Sequence, residues 1–289
     1  MRWLSAVVLL LSLLACGSGP SATRGPGEPA SRELMVFAAA SLTSLFPQVA
    51  TAFQRQQPGV SVKFNFAGSQ RLRTQLEHGA RADVFASADQ DQMELAVASG
   101  LLSGEPVPFA SNRMVVIVPR EDRHEAPVGR ITVRSLEDLA LPEVKLVVAL
   151  PGVPAGKYAL EAIQRLGNAA NGFPSDYSQK VRANVVSQEA NVRGVVQKVV
   201  LNEVDAGVVY QTDARVEHVA SKVTAIEIPD WANPSASYPI GVLRDAAEPD
   251  LAGSFVQFLR STEGRLILSG HGFGAPKPVD EKRRADVGG

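Results

Sequence analysis

The sequence predicts an α/β protein built on two sheets, and three observations point there. Short β-branched runs alternate along the chain with segments of helical period. The strand candidates are continuous apolar runs, as in parallel sheets covered on both faces. About 240 residues carry this grammar, more than one sheet of ordinary size uses. The 289 residues hold 29 Lys+Arg against 30 Asp+Glu and are 45% hydrophobic, enough for a real core and without the basic field that nucleic acid requires. A single cysteine excludes an internal disulfide, a CxxC pair and a thiolate zinc cluster, and four scattered histidines give no HExxH spacing. No cofactor is expected.

Taken in order, residues 1–15 combine Arg2, an apolar run over 4–14 and Ala15 before Cys16, the pattern of a secretory signal. The run is too short for a membrane-spanning helix, which needs about 20 apolar residues. Leu13-Leu14-Ala15-Cys16 resembles a bacterial lipobox, which makes Cys16 a lipidation site; a plain cleaved signal is the other reading of the same residues. Residues 16–32, rich in Gly, Pro, Ser and Ala, form a flexible tether. Residues 34–38 are a strand. Leu42, Leu45, Phe46, Val49, Ala52 and Phe53 fall on one helix face, but Pro47 requires the regular helix to start near Phe46, with 42–45 a separate opening turn. A strand at 60–66 leads into a helix from Ser69 stopped by Gly79, and a strand at 84–86 precedes a helix over 89–99 ended by Gly100. A strand at 114–118 is sealed by Pro119.

The second half repeats the pattern. Strands fall at 145–149, 183–186, 206–210, 223–228 and 240–243. A helix over 155–166 closes at Gly167, and Asn191 caps a helix whose Val192, Val195, Val196, Val199 and Val200 lie on one face. One last helical stretch covers 250–268, and 277–289 is a polar, disordered tail.

In α/β sheets chemistry gathers beyond the carboxyl ends of strands. Five such junctions stand out: Ala39-Ala40-Ser41-Leu42-Thr43, Ala67-Gly68-Ser69, Val153-Pro154-Ala155-Gly156, Glu189-Ala190-Asn191-Val192 and Val208-Val209-Tyr210. Four are helix starts, where unpaired N–H groups and the dipole favour an anion, and three bring a hydroxyl. Singly, Ser41 and Ser69 are ordinary N-caps, Ala155 and Val192 helix-start or core residues, and Tyr210 a buried ring. Together they offer hydrogen-bond donation without charge.

Three stretches, 34–43 (Leu-Met-Val-Phe-Ala-Ala-Ala-Ser-Leu-Thr), 79–89 (Gly-Ala-Arg-Ala-Asp-Val-Phe-Ala-Ser-Ala-Asp) and 153–159 (Val-Pro-Ala-Gly-Lys-Tyr-Ala), resemble the periplasmic molybdate-binding proteins of ABC importers, in order and spacing from about Glu33 to Pro276. Asn191-Val192-Arg193-Gly194 and 206–210 continue the resemblance. It implies a two-lobed type II periplasmic-binding-protein fold, each lobe a mostly parallel sheet flanked by helices, with lobe 1 over 33–112 plus 234–276 and lobe 2 over 113–233. It implies an extracytoplasmic, lipid-anchored, monomeric receptor that performs no chemistry, captures molybdate or tungstate and hands it to a membrane permease. The ligand positions carry over as Ser41, Ser69, Ala155, Val192 and Tyr210, which meet the molybdenum only through its oxyanion. Near the second, Gly68 or Gln70 is expected to share the contact given to Ser69.

A receptor for another tetrahedral oxyanion such as sulfate is the nearest rival, and sulfate is excluded only by cavity size. Iron calls for clustered Tyr, His and carboxylates, and there are four tyrosines. The run 152–157 (Gly-Val-Pro-Ala-Gly-Lys) fails the P-loop pattern in spacing and in Tyr158 where Ser or Thr would hold magnesium. Lys157, one turn into its helix, is expected to point to solvent rather than clamp an anion. A secreted hydrolase would show a GxSxG elbow, which is absent, and His124, His218 and His271 lie in polar loops.

Overall fold

The structure, a computed structural model, describes residues 32–120, 131–168 and 172–276. The expected signal segment, Cys16, nearly all of the tether and the tail at 277–289 lie outside the described residues. Two five-stranded sheets organise the rest. The first contains β1 (Arg32–Ala39), β2 (Val60–Ala67), β3 (Val84–Ala86), β4 (Val107–Asn112) and β10 (Ala236–Val242), in the order β2-β1-β3-β10-β4. The second contains β5 (Met114–Pro119), β6 (Leu146–Ala149), β7 (Val185–Glu189), β8 (Ala206–Tyr210) and β9 (Val223–Glu227), in the order β7-β6-β8-β5-β9. Each sheet is mixed: β10 runs antiparallel to β3 and β4, and β5 antiparallel to β8 and β9, while the remaining pairs are parallel. The chain passes between the sheets at Asn112 to Met114 and again between β9 and β10.

The helices follow from caps and prolines. A 3-10 turn at Ala40–Leu42 precedes α1 (Phe46–Gln56), which carries Pro47 in its first turn where the missing N–H costs nothing. α2 (Ser69–Glu77) is followed by Gly79 at φ +88°, and α3 (Gln90–Ala98) by Gly100 at φ +67°, left-handed positions that glycine takes without strain. Asp89 caps α3 by accepting from the Gln92 N–H at 3.0 Å. In the second half α4 (Pro154–Leu166) and α6 (Val192–Val200) pack on β6 and β8, and α5 (Tyr177–Ala183), α7 (Gln211–Ala214) and α8 (Glu217–Ala220) are shorter. β1 shows how one strand serves two faces: Val36 and Ala38 enter the main core, and Phe37 enters a smaller one with Leu72, Phe85 and Met93.

Several expectations change. β1 begins at Arg32, inside the end of the expected tether, because the Arg32 N–H reaches the Gly59 carbonyl at 3.0 Å and its guanidinium pairs with Glu248 at 2.5 Å. β4 was not foreseen; Pro108 interrupts its pattern, and the strand lies at a sheet edge where proline is tolerated. Residues 183–184 end α5 rather than open β7, with the Asn184 side-chain amide donating to the Leu139 and Leu141 carbonyls at 2.8 and 2.7 Å. The stretch 250–268 is two helices, α9 (Pro249–Arg260) and α10 (Thr262–Gly270), broken at Ser261, whose hydroxyl accepts from the Gly264 N–H at 3.2 Å. β10 starts four residues early and runs through Pro239 at a register shift. Among the described residues no helix is long and apolar enough to cross a membrane.

Candidate ligand-binding site

The carboxyl ends of β1, β2, β6, β7 and β8 meet around one cavity. It is lined by Ala39, Ala40, Ser41, Gly68, Ser69 and Ala88 from one side and Val153, Pro154, Ala155, Asn191, Val192 and Tyr210 from the other. All five residues anticipated from the sequence are therefore brought together, two from the first sheet and three from the second. Gly68 shares the lining; Gln70 does not, because its side-chain amide donates to the Ala190 carbonyl across the cleft at 3.2 Å.

Each residue arrives by local chemistry. Ser41 sits in the 3-10 turn that follows β1, and Ser69 is the first residue of α2; both are buried. In α4 Pro154 has no N–H, so Ala155 supplies the helix's first amide, which has no acceptor within the helix. α4 also seats tightly: a Cβ on Gly156 would lie 2.1 Å from the Leu150 carbonyl oxygen and 2.4 Å from that of Ala149. At α6 the Asn191 side-chain oxygen accepts from the Arg193 and Gly194 N–H groups at 2.9 and 3.3 Å, leaving the Val192 amide outside the cap. Tyr210 ends β8 and is fully buried, and its hydroxyl has no hydrogen-bond partner among the described residues.

The hydroxyls are already engaged from behind. Ser41 Oγ accepts from the Tyr238 hydroxyl at 3.0 Å, and Ser69 Oγ accepts from the Ala88 N–H at 3.0 Å. No charged side chain lines the cavity. Charge stands one layer back, where Arg193 Nε lies 3.9 Å from buried Asp213. Burial pushes the Asp213 carboxyl up to about 7 against the opposing pull of the Arg193 guanidinium. Burial likewise raises Asp89 to about 6, against its bond from the Gln92 amide and the charge of Lys157. Burial also holds the Tyr210 hydroxyl far above the usual phenol range, so it remains a neutral donor.

Three side chains clasp the two halves at the cavity's edge. Besides Gln70, Arg193 donates to Ser44 Oγ at 2.5 Å and to the Ala40 carbonyl at 3.4 Å, and the Lys157 ammonium pairs with Asp91. Lys157 thus does not point freely to solvent: the opposite half offers it a carboxylate. Sequence reasoning missed Tyr238, Asn112, Arg193 and Asp213 as parts of the site's support. An isolated Tyr or Asn in a strand pattern carries no signal of what it will face. Among the described residues no group of three His, Cys, Asp or Glu side chains is placed to hold a metal ion.

A cavity between two mixed sheets, walled by strand ends and helix starts, is where α/β proteins bind small ligands. The profile of the bacterial extracellular solute-binding proteins matches residues 34–274. The chain belongs to that family. This solute-binding protein is 39% identical over 284 residues to the molybdate-binding protein ModA of Mycobacterium tuberculosis, covering 96% of its own length and 100% of the relative. Its fold is that of the periplasmic molybdate-binding protein of Azotobacter vinelandii (TM-score 0.69, 19% identity, 84% of this chain and 100% of that one). The sulfate-binding protein SubI from Mycobacterium tuberculosis superposes as well (TM-score 0.71, 19% identity, 89% and 90%), so the fold alone does not choose between oxyanions. The two-lobed fold expected from the sequence is the one found, each sheet mostly parallel with a single reversed strand, β10 in the first and β5 in the second.

Proposed function

We propose that this solute-binding protein captures molybdate, and tungstate with it, outside the cytoplasm and delivers it to an ABC-type permease in the membrane. The observation that carries the reading is the convergence of Ser41, Ser69, Ala155, Val192 and Tyr210 on one cavity with no charged side chain in its lining. A dianion is costly to desolvate unless many donors meet it, and three hydroxyls with the amides of helix starts do so without a fixed counter-charge. Donors alone also disfavour hydrogen phosphate, whose O–H would lack an acceptor. The 39% identity to a relative named for molybdate supports this ion over sulfate. Within this reading residues 33–112 plus 234–276 form one lobe and 113–233 the other, the two strand crossings act as hinge, and ligand favours closure by bridging both lobes. The protein works without cofactor or bond chemistry, as a monomer.

Cys16 anchors the mature chain by lipid in this account, so Cys16→Ser is expected to move it from the membrane fraction to the soluble fraction. The ligand reading is tested by thermal unfolding with and without molybdate. A ligand at about 100 times its Kd adds about 2.7 kcal/mol, which raises the midpoint by several degrees. No shift with molybdate, or an equal one with phosphate, overturns the reading.

A further inference from the structure

We propose that Tyr238 is a positioning residue that fixes the Ser41 hydroxyl as a donor toward the bound oxyanion; the inference rests on the reading of the cavity given above. Asn112 Oδ1 accepts from the Arg113 N–H at 2.9 Å, which settles the side-chain amide with its NH2 toward the interior. That NH2 donates to Thr212 Oγ1 at 2.8 Å and to the Tyr238 hydroxyl at 3.4 Å. The Tyr238 hydroxyl has one proton, directed at Ser41 Oγ at 3.0 Å, with the Tyr210 hydroxyl as a more weakly interacting neighbour. Having accepted there, Ser41 presents its own proton to the cavity. The chain of donation therefore runs one way, from the Asn112 amide through Tyr238 and Ser41 to the ligand.

The frame around Tyr238 keeps this orientation. Its ring is fully buried, edge-on to Phe109, Tyr210 and Phe273 at centroid distances of 6.2, 5.8 and 5.4 Å. It sits at the register shift of β10, where Tyr238 faces Ala110 but Pro239 faces Pro108, so that Phe109 is the extra residue on β4. Bulges of this kind re-aim side chains. Asn112 ends β4 at the crossing between the sheets and Thr212 follows Tyr210, so one amide joins the crossing to both walls of the cavity. Ser69 is set the same way by the Ala88 N–H, which can only donate. With each serine oxygen already accepting one bond from behind, each hydroxyl is oriented to donate its own proton forward to the oxyanion.

The test is a double-mutant cycle on molybdate affinity with the purified chain: wild type, Tyr238→Phe, Ser41→Ala and the pair. Removing one hydroxyl from an intact ring is expected to weaken binding about tenfold. If Tyr238 acts through Ser41, the same change in the Ser41→Ala background alters affinity by less than about twofold. Asn112→Leu is a second route that leaves the Tyr238 ring in place, with an expected fall of about two- to fivefold that also vanishes without Ser41. Losses of equal size in both backgrounds overturn the proposal, since a merely structural role does not depend on Ser41. Unchanged affinity in Tyr238→Phe overturns it too. Wild-type protein that fails to bind molybdate brings down the functional reading and this inference together, whereas binding with an additive cycle brings down the inference alone.

Discussion

Whether Ser41 and Val192 act through a side chain or a backbone group decides what their substitution does. Ser41→Ala removes a hydroxyl whose oxygen is held by Tyr238, and titration is expected to show molybdate binding weakened by about 1–3 kcal/mol. Ala155 and Val192 donate through backbone N–H in this account, so side-chain truncation at Val192 changes little. Val192→Pro removes that N–H at the first position of α6, in the first turn where a helix accepts proline, and the extended Asn191 before it (φ −163°, ψ 168°) suits a pre-proline residue. The expected result is a folded protein with strongly reduced affinity. Asp213 makes a separate prediction. Its carboxyl titrates near 7 in the folded chain and near the ordinary 3.8 when unfolded, so between these values the folded chain holds a proton that the unfolded chain has lost. The associated stability is complete below about pH 4, falls as the pH rises through 7 and then levels off. Unfolding midpoints against pH are expected to show that slope, and Asp213→Asn to flatten it and raise the midpoint at pH 8.

At the level of elements, the tightest joint is the start of α4 on the end of β6. Gly156→Ala would drive a methyl into the Leu150 and Ala149 carbonyls, and since α4 also presents the Ala155 amide, denaturation and ligand titration are both expected to show losses. How far the elements could be read from residues follows from where their determinants lie. α1, α2, α3 and α6 were legible because caps, a first-turn proline and left-handed glycines are local signals. β4 and the first half of β10 were not, because Pro108 and Pro239 break the apolar pattern and only the edge position and the register shift make them tolerable. The split of α9 from α10 rests on the Ser261 cap, hidden inside one continuous helical period. The five cavity residues were legible as a set of strand-end junctions. Tyr238 and Asn112 were not, since their meaning comes from partners 197 and 126 positions away along the chain.

For the molecule as a whole, contacts across the cavity link residues that no element holds together. Lys157 with Asp91, Arg193 with Ser44 and the Ala40 carbonyl, and Gln70 with the Ala190 carbonyl all join the half built on the first sheet to the half built on the second. The Lys157–Asp91 pair is partly exposed, and such pairs contribute about 0.2–1 kcal/mol. Lys157→Ala is therefore expected to speed molybdate release by no more than about fivefold, measured by stopped-flow displacement, and to leave the unfolding midpoint nearly unchanged. In the proposed function, donors from both halves together select one class of oxyanion. Calorimetric titration of the purified chain with molybdate, tungstate, sulfate and phosphate, each alone, measures that selection. Tight one-to-one binding of molybdate and tungstate with no heat from sulfate or phosphate is expected; silence from molybdate, or a preference for sulfate or phosphate, would rule out selection by these donors.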